Sequence, residues 1–286
     1  MSRDVFQRRA FGTLRWVAIV VFALVTIFPF YYMLLLSFVP VSTLLESPGK
    51  LIPDSVSLDS YGQVLKPVAD GGQGFLSFIG NSAVVAVATT VLTLLVSVLG
   101  AYAVARLRFR GRTGVSTMFL AVYLFPAVVL AGPLYIAFAR LGLTSSLIGV
   151  VLVYIALTVP VSVHMLRGHF ESIPATIEEA ALIDGCGRME MLRRIILPLS
   201  VPAIMSTGLY IFMIAWNEFL FALLFLTGDR SKWTVSLGLS QLTNGVEVPK
   251  TVLMAGSVIL TVPIVLLYAV AERTLTEGAT AGAVKE

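Results

Sequence analysis

The stretch NSAVVAVATTVLTLLVSVLGAYAVA, Asn81 to Ala105, runs for 25 residues without a charge and is followed at once by RLRFRGR, with arginines at 106, 108, 110 and 112. A helix needs about 20 apolar residues to cross the hydrocarbon of a bilayer, so this run is long enough to span. Five further runs read the same way, roughly Leu14 to Phe38, Val115 to Ala139, Ser145 to Leu166, Leu199 to Leu226 and Thr251 to Ala271. The expected fold is an all-α polytopic membrane protein with six transmembrane helices. Composition agrees, because 57% of the 286 residues are hydrophobic, only 13% are charged, and the mean hydropathy is +0.92. That charged fraction is about half the share usual in soluble domains.

Several function classes fall away on counts alone. One cysteine, Cys186, cannot close an intrachain disulfide, and two histidines without cysteine partners do not make a structural zinc set. The net charge of +4 would suit nucleic acid only if the basic residues clustered on a polar surface, and here they sit at the ends of apolar runs. Arg106, Arg108, Arg110 and Arg112 therefore read as orientation signals and contacts to anionic lipid. An enzyme would need His, Asp or Glu gathered at a reacting centre, and no such cluster is visible, so no catalytic residue is expected.

Lys and Arg alternate between the polar pieces, fourteen on one side against six on the other, which places both termini in the cytoplasm. The expected division is a cytoplasmic tail over 1–13, a first span over 14–38, an extracytoplasmic loop over 39–80, a core over 81–274 with a cytoplasmic loop at 168–198, and a cytoplasmic tail over 275–286. The first span follows Arg3, Arg8 and Arg9 as a signal peptide would, but it is too long for a signal core and lacks a clear small-x-small cleavage site. The outer loop carries turn signals, Ser47-Pro48-Gly49 and Asp70-Gly71-Gly72, and suits either a cover meeting an external partner or a plain connector. Tyrosines near span ends (Tyr31, Tyr32, Tyr123, Tyr135, Tyr154) read as interface anchors.

The loop 168–198 holds the most chemistry. Ser172 can cap a short helix with Pro174 in its first turn, Glu178 and Glu179 follow, and Asp184-Gly185 can stop it. A second helix starts near Arg188, its apolar Met189, Leu192, Ile195 and Ile196 at 3.6-type spacing, and ends at Pro198. Ala180 and Ala181 are small enough to let another surface approach, and the glutamates offer charge to a basic groove. A helix pair lying on lipid headgroups fits the same pattern.

Glu179-Ala180-Ala181, three residues, Gly185, nine residues, Ile195, one residue, Leu197-Pro198 resembles without gap or substitution the cytoplasmic signature loop of ATP-binding cassette importer permeases. Asn81-Ser82, Ala101-Tyr102-Ala103, Arg106, Gly111-Arg112, Leu141-Gly142-Leu143 and Trp216-Asn217-Glu218-Phe219 extend the resemblance towards the carbohydrate-uptake branch. The tail around Gly278, Thr280, Ala281, Gly282 and Lys285 is similar to that of the maltose-type second permease subunit, where it reaches the ATPases. The resemblance implies a type I importer permease fold in a bacterial inner membrane, with a homologous permease subunit, two ATPase subunits and an extracytoplasmic sugar-binding protein as partners. It implies an ATPase-coupling role for Glu179, Ala180, Ala181, Gly185, Ile195, Leu197 and Pro198, flanked by Glu178 and Asp184, with Gly185 in a close-packed turn. ATP and Mg would belong to the partners and no cofactor to this chain: Gly49-Lys50 lacks the rest of a phosphate-binding loop.

Glu218 is the one acid inside an expected span, where an unpaired charge at mid-bilayer costs on the order of 3 kcal/mol. It lies about twenty residues beyond Pro198, roughly 30 Å at 1.5 Å per residue, which puts it near the outer interface. Glu218 and its neighbour Asn217 are thus candidates for the substrate path. Apart from Arg15 in the first turn of the first run, the spans carry no Lys or Arg for a phosphate, which points to a neutral sugar; the resemblance implies a disaccharide such as trehalose or maltose. The competing class is an ion-coupled secondary transporter using a buried acid.

Overall fold

The charge-free run around Asn81 winds into one helix of 32 residues, Phe75–Arg106, in the computed structural model of the chain. Residues 3–46, 50–53, 55–244 and 248–283 are described, with side chains at 11–44, 50–53, 55–242 and 248–272. In chain order the helices are α1 (Arg3–Ser37), α2 (Val41–Glu46), α3 (Asp59–Leu65), α4 (Phe75–Arg106), α5 (Arg112–Leu124), α6 (Ala127–Arg140), α7 (Leu147–Ser172), α8 (Ala175–Ile183), α9 (Arg188–Leu199), α10 (Val201–Asn217), α11 (Leu220–Leu226), α12 (Val235–Asn244) and α13 (Lys250–Ala283). No strand occurs among the described residues. Within α1, α4, α7 and α13 lie four stretches long and apolar enough to cross a membrane; the bent pairs α5–α6 and α9–α10, counted as one span each, bring the number to the expected six.

Prolines make both bends. Phe125 precedes Pro126, whose ring excludes the α conformation from the residue before it, and Phe125 is extended (φ −77°, ψ 130°), so α6 leaves α5 at 96°. Between Pro198 and Pro202 the chain turns by 77° at Ser200. Ahead of that turn, Leu192–Ile196 is wound as a π-helix, with Leu197 N–H donating to Leu192 O. The wider turn makes room where the Pro198 ring would meet the Arg194 carbonyl. Pro29, Pro133, Pro160 and Pro263 lie inside continuous helices. The fifth run, expected as one span over Leu199 to Leu226, is therefore three pieces: it is bent at Ser200 and broken again at Glu218-Phe219. The segment 39–80, expected as a loop, carries α2 and α3 and gives way to α4 at Phe75.

The chain divides into two units, residues 1–75 with 241–259 and residues 76–240 with 260–286. In the first, Ser37 Oγ and Tyr61 Oη share a 2.8 Å hydrogen bond, the Phe38 and Tyr61 rings lie 5.2 Å apart, and Ser57 N–H donates to Phe38 O. Those contacts fold the segment after α1 back onto its end.

The second unit has two apolar centres. One joins Val85, Val153, Tyr154, Trp216, Phe221 and Phe225 at the Glu218 end, and the other joins Tyr102, Leu166, Phe170, Met191, Leu192 and Ile196 beside α8. Both pack on a single stripe of α4, in which Ser82, Ala86, Thr89, Thr93, Ser97, Ala101 and Ala105 recur every three or four residues and are buried. Small residues at this spacing let backbones come close where lipid offers no hydrophobic drive between helices. Thr93 and Thr158 hydroxyls meet at 2.9 Å across α4 and α7, and Thr158 and Ser162 donate back to carbonyls one turn earlier. Val84, Val87, Val91 and Leu95 face outwards.

Gly208 on α10 belongs to the same close contact, because a Cβ there would sit 3.2 Å from Leu94 Cδ1, whereas one at Gly132 would meet no described atom within 4 Å. Gly208→Leu is expected to lower the thermal unfolding midpoint in detergent, overpacking costing about 1–3 kcal/mol, while Gly132→Leu holds or raises it through helix propensity. Equal midpoints for the two variants would contradict this packing.

Candidate functional site

Pro174 separates α8 from α7. Ile173 before it is extended (φ −71°, ψ 127°), so α7 ends there, one residue past Ser172. Ser172 was expected to cap α8 but belongs to α7, with its hydroxyl donating to His169 O at 2.7 Å. Pro174 itself stands in the cap position of α8 without a side-chain bond. The far end of α8 is as expected, and its geometry is complete. Asp184 closes the helix, Gly185 is left-handed (φ +83°), Gly185 N–H donates to Leu182 O at 3.1 Å, and Cys186 N–H reaches Ala181 O at 2.9 Å. This is the double hydrogen bond of a Schellman turn, in which the left-handed residue is best a glycine.

The residues singled out around α8 do different jobs. Glu179 and Ala180 are exposed, as is Asp184, and Ile183 stands 86% exposed with Leu182 and Met189 close to it in sequence. Ala181 points the other way: 5% exposed, it packs with Cys186, Ile195 and Leu197 on the Tyr102–Phe170 cluster. Pro198 is exposed and starts the last turn of α9. Glu178 turns inward. Its Oε1 lies 2.8 Å from Arg106 Nε, with the two side chains 16% and 15% exposed. Arg106 also donates from Nη2 to Ile173 O at 2.5 Å, so this arginine holds the α7–α8 junction instead of pointing at lipid. Arg112 likewise donates to Ala105 O at 2.9 Å and pairs with Glu171, which also takes Arg167 Nε at 2.8 Å.

The Gly185 turn was expected to be close-packed. A Cβ on Gly185 would meet no described atom of this chain within 4 Å, so within the chain the demand for glycine comes from its φ. Gly185→Ala should cost about 1 kcal/mol in unfolding free energy and Gly185→Asn less, because asparagine tolerates the left-handed region. Equal thermal midpoints for the two variants would refute that reading.

At the other end of the unit, Glu218 interrupts the fifth run. Its backbone is extended (φ −62°, ψ 130°), and its carboxylate accepts the N–H of Phe221 at 3.0 Å and of Ala222 at 3.2 Å, two of the free donors in the first turn of α11. Tyr154, fully buried and so no interface anchor, donates its hydroxyl to Glu218 Oε2 at 2.5 Å, and Ser236 donates to Glu218 O at 2.7 Å. The charge is thus answered by a helix N-terminus, a hydroxyl and backbone. Asn217 is exposed and spends one amide proton on Met213 O. Close by, Asn81 Nδ2 holds Ser231 O and Trp233 O at 2.8 and 2.9 Å, and Ser82 Oγ accepts Val235 N–H. In the turn between them, the Ser231 hydroxyl and then the Lys232 ammonium keep the exposed Asp229 carboxyl below its ordinary range.

Sequence reading found the residues at both ends but not their partners. Arg106 and Glu178 are 72 positions apart and Tyr154 and Glu218 are 64 apart, so local spacing carries no signal of either pair. No group of three metal-ligating side chains occurs among the described residues. Of the C-terminal candidates, Gly278, Thr280, Ala281 and Gly282 lie on the last turns of α13, their side chains outside the description, and Lys285 lies outside the described residues. Glu218→Gln should lower stability by about 1–2 kcal/mol in thermal unfolding, and the double variant with Tyr154→Phe should lose less than the sum of the two. Additive losses would show that the two groups do not act together.

A family model described as "Binding-protein-dependent transport system inner membrane component" matches residues 94–276. The chain is 38% identical over 268 residues to the trehalose/maltose transport system permease protein MalG of Thermococcus litoralis, covering 93% of this chain and 94% of that one. It is 35% identical over 264 residues, 92% and 93% of the two chains, to the inner membrane ABC transporter permease protein YcjP of Escherichia coli. To the trehalose transport system permease protein SugB of Mycobacterium tuberculosis it is 32% identical over 259 residues, 90% and 92%. Its fold matches a chain in the crystal structure of a bacterial ABC transporter involved in the import of the acidic polysaccharide alginate, with a TM-score of 0.80, 24% identity, and 96% and 98% coverage.

Proposed function

The chain belongs to the family of binding-protein-dependent transport system inner membrane components, and on that premise we propose that it is one half of a sugar pore whose α8 takes its drive from separate ATPase subunits. The observation that carries this reading is the shape of α8: a short helix held on its stem by a packed Ala181 and a Schellman turn, presenting Glu179, Ala180 and Ile183 outwards.

In this reading two ATPase subunits supply ATP and Mg, one docking on α8 of this chain and the other on a homologous permease subunit. An extracytoplasmic binding protein delivers the sugar. The basic residues orient both termini, the loop 168–198 and the tail 275–286 to the cytoplasm and leave 39–80 outside. Glu179 and Ala180 meet the ATPase surface, with Asp184 and Gly185 shaping the end of the helix. Ala181, Ile195 and Leu197 transmit its displacement by packing, and Pro198 starts the bend that passes it to α10. Gly278, Thr280, Ala281, Gly282 and Lys285 extend towards the ATPases from α13. ATP biases the pore only through contacts that differ between its two states, and α8 is where those contacts are made.

The substrate is a neutral disaccharide, trehalose or maltose first. Apart from Arg15 at the very start of the first, the membrane runs hold no Lys or Arg, which supports that choice, and so do the names of two of the relatives. Of the substrate-path candidates, Asn217 keeps an exposed amide oxygen for a sugar hydroxyl, while the Glu218 carboxylate is engaged in capping.

The test is reconstitution with its partner subunits in proteoliposomes, measuring ATP hydrolysis and sugar uptake with and without loaded binding protein across trehalose, maltose and larger oligosaccharides. Hydrolysis stimulated only by the loaded binding protein, and lost in Ile183→Asp, is the expected result. Uptake that follows an ion gradient without an ATPase would replace this reading by a secondary transporter.

A further inference from the structure

Resting on the reading of α8 as the ATPase-driven element, we propose that Arg106 is the positioning residue that makes α4 move with it. Arg106 is the last residue of α4, and its guanidinium grips two separate parts of the α8 assembly. Nη2 holds Ile173 O at 2.5 Å, the carbonyl left open where Pro174 ends α7, and Nε stands 2.8 Å from the Glu178 carboxylate in the body of α8. Among the described residues this is the ion pair that joins α8 to another helix. Both side chains are largely shielded from water, so the attraction is screened far less than a surface pair would be.

What Arg106 is attached to gives the contact its reach. α4 is an unbroken helix without an internal proline, packed along its length through the stripe from Ser82 to Ala105. At its other end, Asn81 and Ser82 hold the backbone of Ser231, Trp233 and Val235, and Ser236 in turn holds the carbonyl of Glu218 at the break in the fifth run. A displacement of α8 thus enters a stiff rod through Arg106 and arrives at the segment that carries Asn217 and Glu218. Packing alone would pass the same displacement to α9 and the 77° bend at Ser200. The ion pair adds the route through α4.

A spatial chain of contacts is not coupling until a coupling energy is measured. The experiment compares wild type, Arg106→Gln, Glu178→Gln, the double variant and Arg106→Lys in the assembled transporter in proteoliposomes. ATP hydrolysis stimulated by loaded binding protein and sugar uptake are read in the same vesicles. Each single glutamine variant is expected to keep stimulated hydrolysis and to lose about 5- to 150-fold in sugar taken up per ATP, the range of ordinary coupling free energies. The double variant should lose no more than the worse single, and Arg106→Lys should recover part of the ratio. Glu178→Gln leaves the Arg106–Ile173 bond in place and so stands in if Arg106→Gln fails to assemble. Unchanged uptake per ATP in Glu178→Gln, or additive losses in the double variant, would overturn the proposal while leaving the transport reading intact. Absence of stimulated hydrolysis in wild type would instead overturn the transport reading, and this proposal with it.

Discussion

Where a helix breaks away from water, the backbone N–H and C=O groups it frees have to find partners within the chain itself. Two of the breaks here are sealed by charge of the appropriate sign. Where α7 ends at Ile173, the arginine of α4 takes the open carbonyl, and a cation suits the C-terminal end of a helix dipole. Where α11 starts after Glu218, that carboxylate takes the open N–H groups, and an anion suits the N-terminal end. Each charge then has a further partner, Glu178 in one case and Tyr154 in the other. The segments on either side of a break can be short and sharply turned because these contacts hold them.

The two sealed breaks stand at opposite ends of α4, and the small-residue stripe of that helix lets everything between them pack closely. The helix is continuous along α4 and interrupted along the fifth run, where a π turn, two prolines and an extended Glu218 follow one another within 27 residues from Leu192 to Glu218.

The six apolar runs and the stop at Asp184-Gly185 were legible from residue order, as was the presence of a helix–turn–helix between the fourth and fifth runs. All of these rest on local rules: length against bilayer thickness, and the φ that only glycine adopts easily. The signature spacing from Glu179 to Pro198 was equally plain, and it led to the family. The sharpness of the bends was not legible, since Pro126 bends its run by 96° while Pro133 and Pro160 sit in unbroken helices. A proline in the membrane bends or does not according to whether neighbours satisfy the groups it frees, and those neighbours are distant in sequence.

The roles of the charged residues divide in the same way. Residue order alone singled out Glu218 as the one acid inside an expected span and the Arg106 cluster as the mark of a span end, because the cost of a bare charge in lipid does not depend on the fold. Only the tertiary structure decided that Tyr154 and the N-terminus of α11 answer Glu218, that Arg106 turns inward to Glu178, and that Ala180 faces out while Ala181 faces in. These outcomes depend on which helices lie side by side. Apolar periodicity is silent on that, because in lipid nearly every face of a helix is apolar and the choice of neighbour passes to a few small and polar side chains.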